Sequence, residues 1–170
     1  MNPPNRGFSL LELLVVLAIS GILLAVGLPG LREMLVNGSR REAATGLYAA
    51  LNRARSEAIA RNGTVAVCAR DLAATTPSCA GSANWMNGWL VYALASDGSQ
   101  TTISVQAPVA STLRFQAAPA GVVSFDASGR TTVAADFRLC PGADAGDQRS
   151  RLVRVRRSGG ITLNEAATCG

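Results

Sequence analysis

Few side chains in this sequence are placed to do chemistry, and the first of them is a carboxylate in an apolar setting. Glu12 lies inside an almost unbroken apolar run from Phe8 to Leu31, four residues after Phe8. As a helix the run spans roughly 36 Å, enough to cross a bilayer. An ionised Glu near one end of such a helix is costly in lipid and is expected only where it finds a partner, so its chemistry is charge pairing. Four cysteines, Cys68, Cys79, Cys140 and Cys169, form the second set. They make no C-x-x-C pair and histidine is absent, so no ordinary zinc pattern exists and no metal is expected. An even number beyond a candidate membrane anchor points to an oxidising compartment and disulfides. Four cysteines allow three connectivities; loop closure favours Cys68–Cys79 with Cys140–Cys169, and the others stay open.

The third set is Arg149, Arg151, Arg154, Arg156 and Arg157, five arginines within nine residues. In a strand, alternation puts Arg154 and Arg156 on the face opposite Val153 and Val155. Guanidinium groups on an exposed face can meet phosphates irrespective of base sequence, face solvent, or pair with a neighbouring subunit. Aromatic residues for base stacking are missing nearby, which favours the last two readings over DNA. The lack of histidine also removes the commonest general base. No nucleophile–base pair or phosphate loop is visible, and Asp71, Asp97, Asp126 and Asp136 fall in or beside turns, where Asp is ordinary. No catalytic residue and no cofactor is expected, and the chain does not read as an enzyme.

The elements that must position these groups follow from patterning. A polar leader, Met1 to Arg6, carries one positive charge and ends in Gly7. A secretory signal would have a shorter apolar core with its cleavage site behind it; here the candidate cut, between Gly7 and Phe8, precedes the apolar run and leaves it on the mature chain. Gly27-Leu28-Pro29-Gly30 interrupts the run, where proline removes a backbone hydrogen bond and favours a kink or local melting. Ala44, Leu47, Leu51, Ala54 and Ala58 then recur in steps of three and four, one helical face. Arg40, Arg41, Arg53, Glu57 and Arg61 lie largely off it, and Asn62-Gly63 is the expected C-cap.

Beyond Gly63 the periodicity is that of strands: 64–69, 89–94, 102–106, 113–116, 122–125, 132–134, 137–140, 152–156 and 161–163. Asp97-Gly98-Ser99, Ala120-Gly121 and Ser128-Gly129 supply turns. Two segments, 70–88 and 141–150, look irregular. Trp89 reads as core, and Trp85 as a loop anchor or a subunit contact. The fold class is α+β: a long N-terminal helix packed on an antiparallel β domain. The divisions expected are leader 1–7, transmembrane or filament-core helix 8–31, amphipathic half of the same helix 32–62, and β-rich domain 63–170. Removing seven leader residues from 170 leaves 163, of which roughly 135 lie beyond the apolar run, enough for one domain. The net charge of +5 permits anionic partners without requiring them. All sixteen basic residues are Arg, which with the abundant Ala and Gly looks like GC-rich codon bias.

The opening, GFSLLELLVVLAISGILL, resembles the class III signal of type IV pilins and of type II secretion pseudopilins. That resemblance implies a prepilin peptidase cutting after Gly7 and methylating the amino group of Phe8. It also implies Glu12 pairing with the N-terminal amine of a neighbouring subunit. Arg55 to Asn62, Cys68, Gly88-Trp89, Val123-Ser124-Phe125-Asp126-x-x-Gly129 and Phe137-x-Leu139-Cys140 resemble the GspH/FimT family of pseudopilins and minor pilins. The family implies a structural subunit, single-pass in the inner membrane with its C-terminal domain in the periplasm, then in a filament or at its tip. Its partners would be other minor and major pilins or pseudopilins, met through the N-terminal helix. The preferred expectation is a minor pilin that primes or caps a type IV pilus. The alternatives are a type II secretion minor pseudopilin and a DNA-binding minor pilin of natural transformation. DNA-binding members carry Gly-Arg-x-Arg near the C-terminus; the matching Gly159-Gly160-Ile161-Thr162 lacks both arginines, which argues against DNA.

Overall fold

The computed structural model describes residues 9–81, 84–117, 119, 121–142 and 149–169, without the side chains of 26–29, 32, 117, 149 and 166–168. It divides into two compact units, Met1–Leu35 and Val36–Gly170. One helix, α1, runs from Leu10 to Arg61 and contributes to both. In the first unit its described large apolar side chains are exposed, from Leu10 at 77% to Val15 at 49%. A helix that is apolar all round has no single face to bury and needs a partner or lipid around its circumference. Helical backbone continues through Gly27–Gly30, so local melting at Pro29 is not what the chain does. Among the described residues no helix is long and apolar enough to cross a membrane.

In the second unit α1 becomes one-sided. Ala44, Leu47, Leu51, Ala54 and Ala58 are fully buried, and two leucines among three alanines let the sheets approach the helix closely. Its end is a Schellman motif. Asn62 takes the left-handed conformation at φ 48°, Gly63 N–H donates to Ala58 O at 3.0 Å, and Asn62 N–H donates to Ile59 O at 3.2 Å. Arg40, read as off the stripe, is only 7% exposed; its Nη2 donates to Asn37 Oδ1 at 2.8 Å.

The strands are β1 Thr64–Ala69, β2 Trp89–Leu94, β3 Gln100–Val105, β4 Leu113–Ala117, β5 Val123–Phe125, β6 Ala135–Pro141, β7 Arg149–Val155 and β8 Ile161–Thr168. They form two four-stranded sheets, in the orders β3-β2-β1-β5 and β4-β6-β7-β8, and every pairing is antiparallel. Alternation sends Val65, Val67, Val91, Val123 and Phe125 of the first sheet, and Phe137, Leu139, Val153 and Val155 of the second, into one core with the helix stripe. Trp89 joins that core, as does Trp85. Trp85 is the loop anchor: it is 1% exposed, donates Nε1–H to Pro119 O at 3.0 Å, and meets Phe137 edge-to-face at 4.7 Å. A smaller cluster of Ala66, Cys68, Leu90 and Tyr92 lies on the other face of the first sheet, with Cys79 against it.

The structure departs from the expected strands in three places, the first being β7, which begins at Arg149 inside the segment expected to be irregular. Thr132–Ala134 is not a strand: Thr131 Oγ1 accepts from Val133 N–H at 3.3 Å, and such local bonds compete with a ladder. β8 continues to Thr168 rather than stopping at Leu163, because cross-strand pairing with β7 carries Asn164 and Glu165 along.

Two turns close the unit against α1. Gly129 and Gly159 sit at φ 72° and 81° in the turns before β6 and β8. Arg55 Nε donates to Gly129 O at 3.1 Å, and Thr131 N–H donates to Arg157 O at 3.1 Å. A Cβ on Gly159 would fall 1.7 Å from Gly129 O. Gly159→Ala is therefore expected to lower stability by about 2–3 kcal/mol through backbone strain and displacement of the neighbouring turn, read from denaturant unfolding of the full chain in detergent. A change under about 0.5 kcal/mol, the range of an ordinary surface substitution, would show that the turns are not locked together.

Candidate functional site

Three places carry the groups that the sequence singles out. At the start of α1, Ser9 acts as N-cap, its Oγ accepting from Leu11 N–H at 3.3 Å while its carbonyl accepts from Leu13 N–H at 3.2 Å. Ser9-Leu10-Leu11-Glu12 has the capping-box spacing, a signal that the charge-pairing argument passed over. Glu12 sits in the first turn, exposed. The partial positive charge of the helix N-terminus favours a carboxylate there. The same placement leaves the carboxylate open to a partner from outside the chain. Gly7 and Phe8 lie outside the described residues.

The cysteines form two disulfides, Cys68–Cys79 and Cys140–Cys169. The first pins the 70–88 segment over the outer face of β1, helped by backbone bonds from Ala80 N–H to Ala69 O at 2.8 Å and Asp71 N–H to Ser78 O at 2.9 Å. The second holds the residue after β8 to β6, two strands away in the sheet. Chain-entropy arguments put bridges across 11 and 29 residues at about 3–4 kcal/mol each.

The arginines do not make one stripe. Arg151 shares its side of β7 with buried Val153 and Val155, whereas Arg154 faces the other way. Arg154 binds Asp136 with both arms, Nε to Oδ1 at 2.8 Å and Nη2 to Oδ2 at 2.7 Å, directly across the β6–β7 register. Arg151 Nη2 pairs with Glu165 Oε1 at 2.7 Å across β7–β8. Arg156 and Arg157 are exposed in the turn after β7, and the Arg149 side chain lies outside the described ones. Asp136 thus stands on a strand as an ion-pair partner, not beside a turn as read from sequence. The pair was findable: once β6 and β7 are antiparallel neighbours, outward-facing Asp and Arg fall opposite each other.

The other aspartates do what turn aspartates do. Asp126 Oδ1 accepts from Ser128 N–H, Ser128 Oγ and Arg130 N–H, and the Ser128 bond holds its carboxyl below the ordinary range. Asp97 is lowered the same way by Ser99. Asp71 caps Ala73 N–H at 2.9 Å. Among the described residues no three His, Cys, Asp or Glu side chains gather as metal ligands.

Residues 43–159 match the family described as Type II transport protein GspH. The chain belongs to the GspH family. Ahead of that domain, residues 2–28 match the prokaryotic N-terminal methylation motif, which makes this GspH member type IV pilin-like. A stretch of 48 residues is 46% identical to the type IV major pilin protein PilA of Myxococcus xanthus, covering 28% of this chain and 22% of that protein. The match therefore spans about a fifth of the relative's length. The fold is similar to that of type IV minor pilin FimU from Pseudomonas aeruginosa, with TM-score 0.59 and 19% identity over 79% of this chain and 97% of the other. It is similar also to minor pseudopilin EpsH of the type 2 secretion system of Vibrio cholerae, with TM-score 0.56 and 15% identity over 75% and 97%. Pilin and pseudopilin families are structural subunits, and the motif with the family implies a membrane-anchored precursor that later enters a filament.

The Arg154 guanidinium, hydrogen-bonded to Asp136, holds that carboxyl below the ordinary carboxylate range. A lowered carboxyl adds stability above its unfolded pKa of about 3.9, lost as pH falls through the folded value. Both partners are nearly half exposed, so the gain is under about 1 kcal/mol. Asp136→Asn is expected to cost that small amount at neutral pH. The difference from the parent should start to shrink as pH falls below about 4 and close only below the lowered folded value; a gap that persists at that acid limit would assign the loss to packing instead.

Proposed function

We propose that this chain is a minor pilin that primes or caps type IV pilus assembly, a non-catalytic subunit. In this reading a prepilin peptidase cuts between Gly7 and Phe8 and the new amino group is methylated. Before assembly the helix anchors the chain once in the inner membrane, with the β domain in the periplasm. It then enters the filament, packing its apolar circumference against other minor and major pilins. The observation that carries the reading is an all-round apolar helix start with one exposed carboxylate, Glu12, directly ahead of a GspH domain. Buried among neighbouring helices, that carboxylate needs a cation, and the freed N-terminal amine of an adjacent subunit supplies one. DNA is not part of this reading, since two of the five β7-region arginines are spent on Asp136 and Glu165.

A second reading, a minor pseudopilin of type II secretion, is supported equally by the family description and by the likeness to EpsH. The two share every physical step above and differ in the machine. A deletion strain scored for sheared surface pili and for secreted exoproteins separates them. Lost pili with normal secretion supports the pilus; lost secretion with normal pili assigns the chain to the secretion apparatus.

Glu12→Ala tests the shared step. Removing one partner of a buried ion pair costs about 3–5 kcal/mol, so incorporation into filaments should fall by more than about tenfold. The β domain, in the other compact unit, should unfold at the parent temperature. Incorporation at parent level would rule out the pairing.

A further inference from the structure

The outer face of the second sheet brings together arginines that lie far apart in sequence. Alternation puts Arg114 of β4, Arg138 of β6 and Arg154 of β7 on the side away from buried Leu113, Phe137, Leu139 and Val153. In register, Arg114 lies beside Cys140, two residues along β6 from Arg138. Arg138 lies beside Leu152, two residues along β7 from Arg154. The three therefore form a diagonal across neighbouring strands, with steps of about 8 Å between backbone positions. Beyond the end of β7, exposed Arg156 and Arg157 line a hollow of about 530 Å³ together with Arg154 and Asp136. Leu152, Thr162 and Asn164 add no charge to this face. Asp136 is its one acid among the described residues, and Arg154 binds it; Glu165 is on the other side, with Arg151. Among the described residues neither Arg114 nor Arg138 has an ion-pair partner.

We propose that this face lies against the anionic phospholipid headgroups of the membrane that holds the chain before assembly. The inference rests on the anchoring step of the reading above. Each arginine near an anionic bilayer surface adds a modest attraction, and several on one face add up to binding. The guanidinium fork also matches a phosphate group in geometry. Spread over three strands and a turn, these cations suit a surface of many separate phosphates better than one small ligand. Nucleic acid is the other source of phosphates. Among its described residues the face has no aromatic side chain for a base to stack on, a feature common in single-strand binders. An anchored chain, moreover, keeps the bilayer surface within reach at all times, whereas nucleic acid must arrive from solution.

The test uses the full chain reconstituted in vesicles of phosphatidylcholine alone, or of phosphatidylcholine with an equal part of phosphatidylglycerol. A fluorophore is attached through azidophenylalanine at Asn164, exposed on this face, or at Thr102, exposed on β3 of the first sheet. Spin-labelled headgroups quench whichever position lies at the bilayer surface. Position 164 should be quenched in phosphatidylglycerol vesicles at low salt, and more strongly than position 102. The effect should fade in phosphatidylcholine alone and as salt is raised. Arg114→Glu with Arg138→Glu should lower the ratio of docked to free domain by more than about tenfold. Arg114→Gln with Arg138→Gln adds no acid beside Asp136 and should act in the same direction, so misfolding of the first pair does not decide the outcome. Quenching that is absent, equal in the two lipids, or unchanged in both double variants overturns the proposal. So does a single-stranded oligonucleotide that strips the face from phosphatidylglycerol vesicles, which assigns these arginines to nucleic acid. Flotation of the vesicles keeps the two readings apart. A chain that floats with both lipids without this quenching pattern overturns the face alone, and a parent chain that floats with neither overturns the anchoring.

Discussion

Everything in the second compact unit hangs on the burial of one helical stripe. Ala44, Leu47, Leu51, Ala54 and Ala58 lose all contact with water, and the inner faces of both sheets converge on them. Among the described residues the two sheets exchange no ladder, each having its own strand order; the shared core is what makes them one unit. Truncating either leucine would remove about 2–5 kcal/mol at the point where both sheets meet the helix. Arg55 adds a polar tie at the end of the stripe by donating to the carbonyl of Gly129, so the turns before β6 and β8 are positioned from the helix as well. Charge plays a smaller part, because the Arg154–Asp136 and Arg61–Glu57 pairs are exposed enough for water to weaken them.

The helix performs two incompatible jobs with one continuous backbone. Up to Leu35 its described large apolar side chains are exposed; from Val36 on it is one-sided. The change lies entirely in the side-chain pattern, since helical backbone continues through Gly27–Gly30. A segment that cannot satisfy its own surface is joined to one that can.

Most of the fold is legible in the residues, because it depends on period. The stripe at steps of three and four and the short alternating runs give the helix and all eight strands, together with one run, 132–134, that is not a strand. The limits of β6, β7 and β8 are less legible, since they depend on partners: β6 starts at Ala135 and β7 at Arg149, ahead of their apolar runs, and pairing with β7 extends β8 through polar Asn164 and Glu165. The same cause hides the fate of the arginines. Five in nine residues look like one basic surface until the register shows Arg151 facing the core side of β7 and Arg154 paired across to β6. Charge is visible in one dimension; which charge it meets is decided in three. Glu12 is the opposite case, legible from local sequence alone because both its anomaly and its helix cap lie within four residues.

The Cys140–Cys169 bridge has a mechanical side. β8 lies at the edge of its sheet, the natural place for unzipping to begin, and the bridge ties the residue after it to β6. Pulled from its ends, a chain without the bridge could pay out the stretch between the two cysteines, a sequence separation of 29 and roughly 100 Å of extended backbone. With the bridge intact that length is withheld, and tension passes through a sulfur–sulfur bond instead of through ladder hydrogen bonds. The Cys68–Cys79 bridge withholds a further 11 residues, roughly 40 Å. The second unit is therefore close to inextensible over those two spans, a property suited to a part under load.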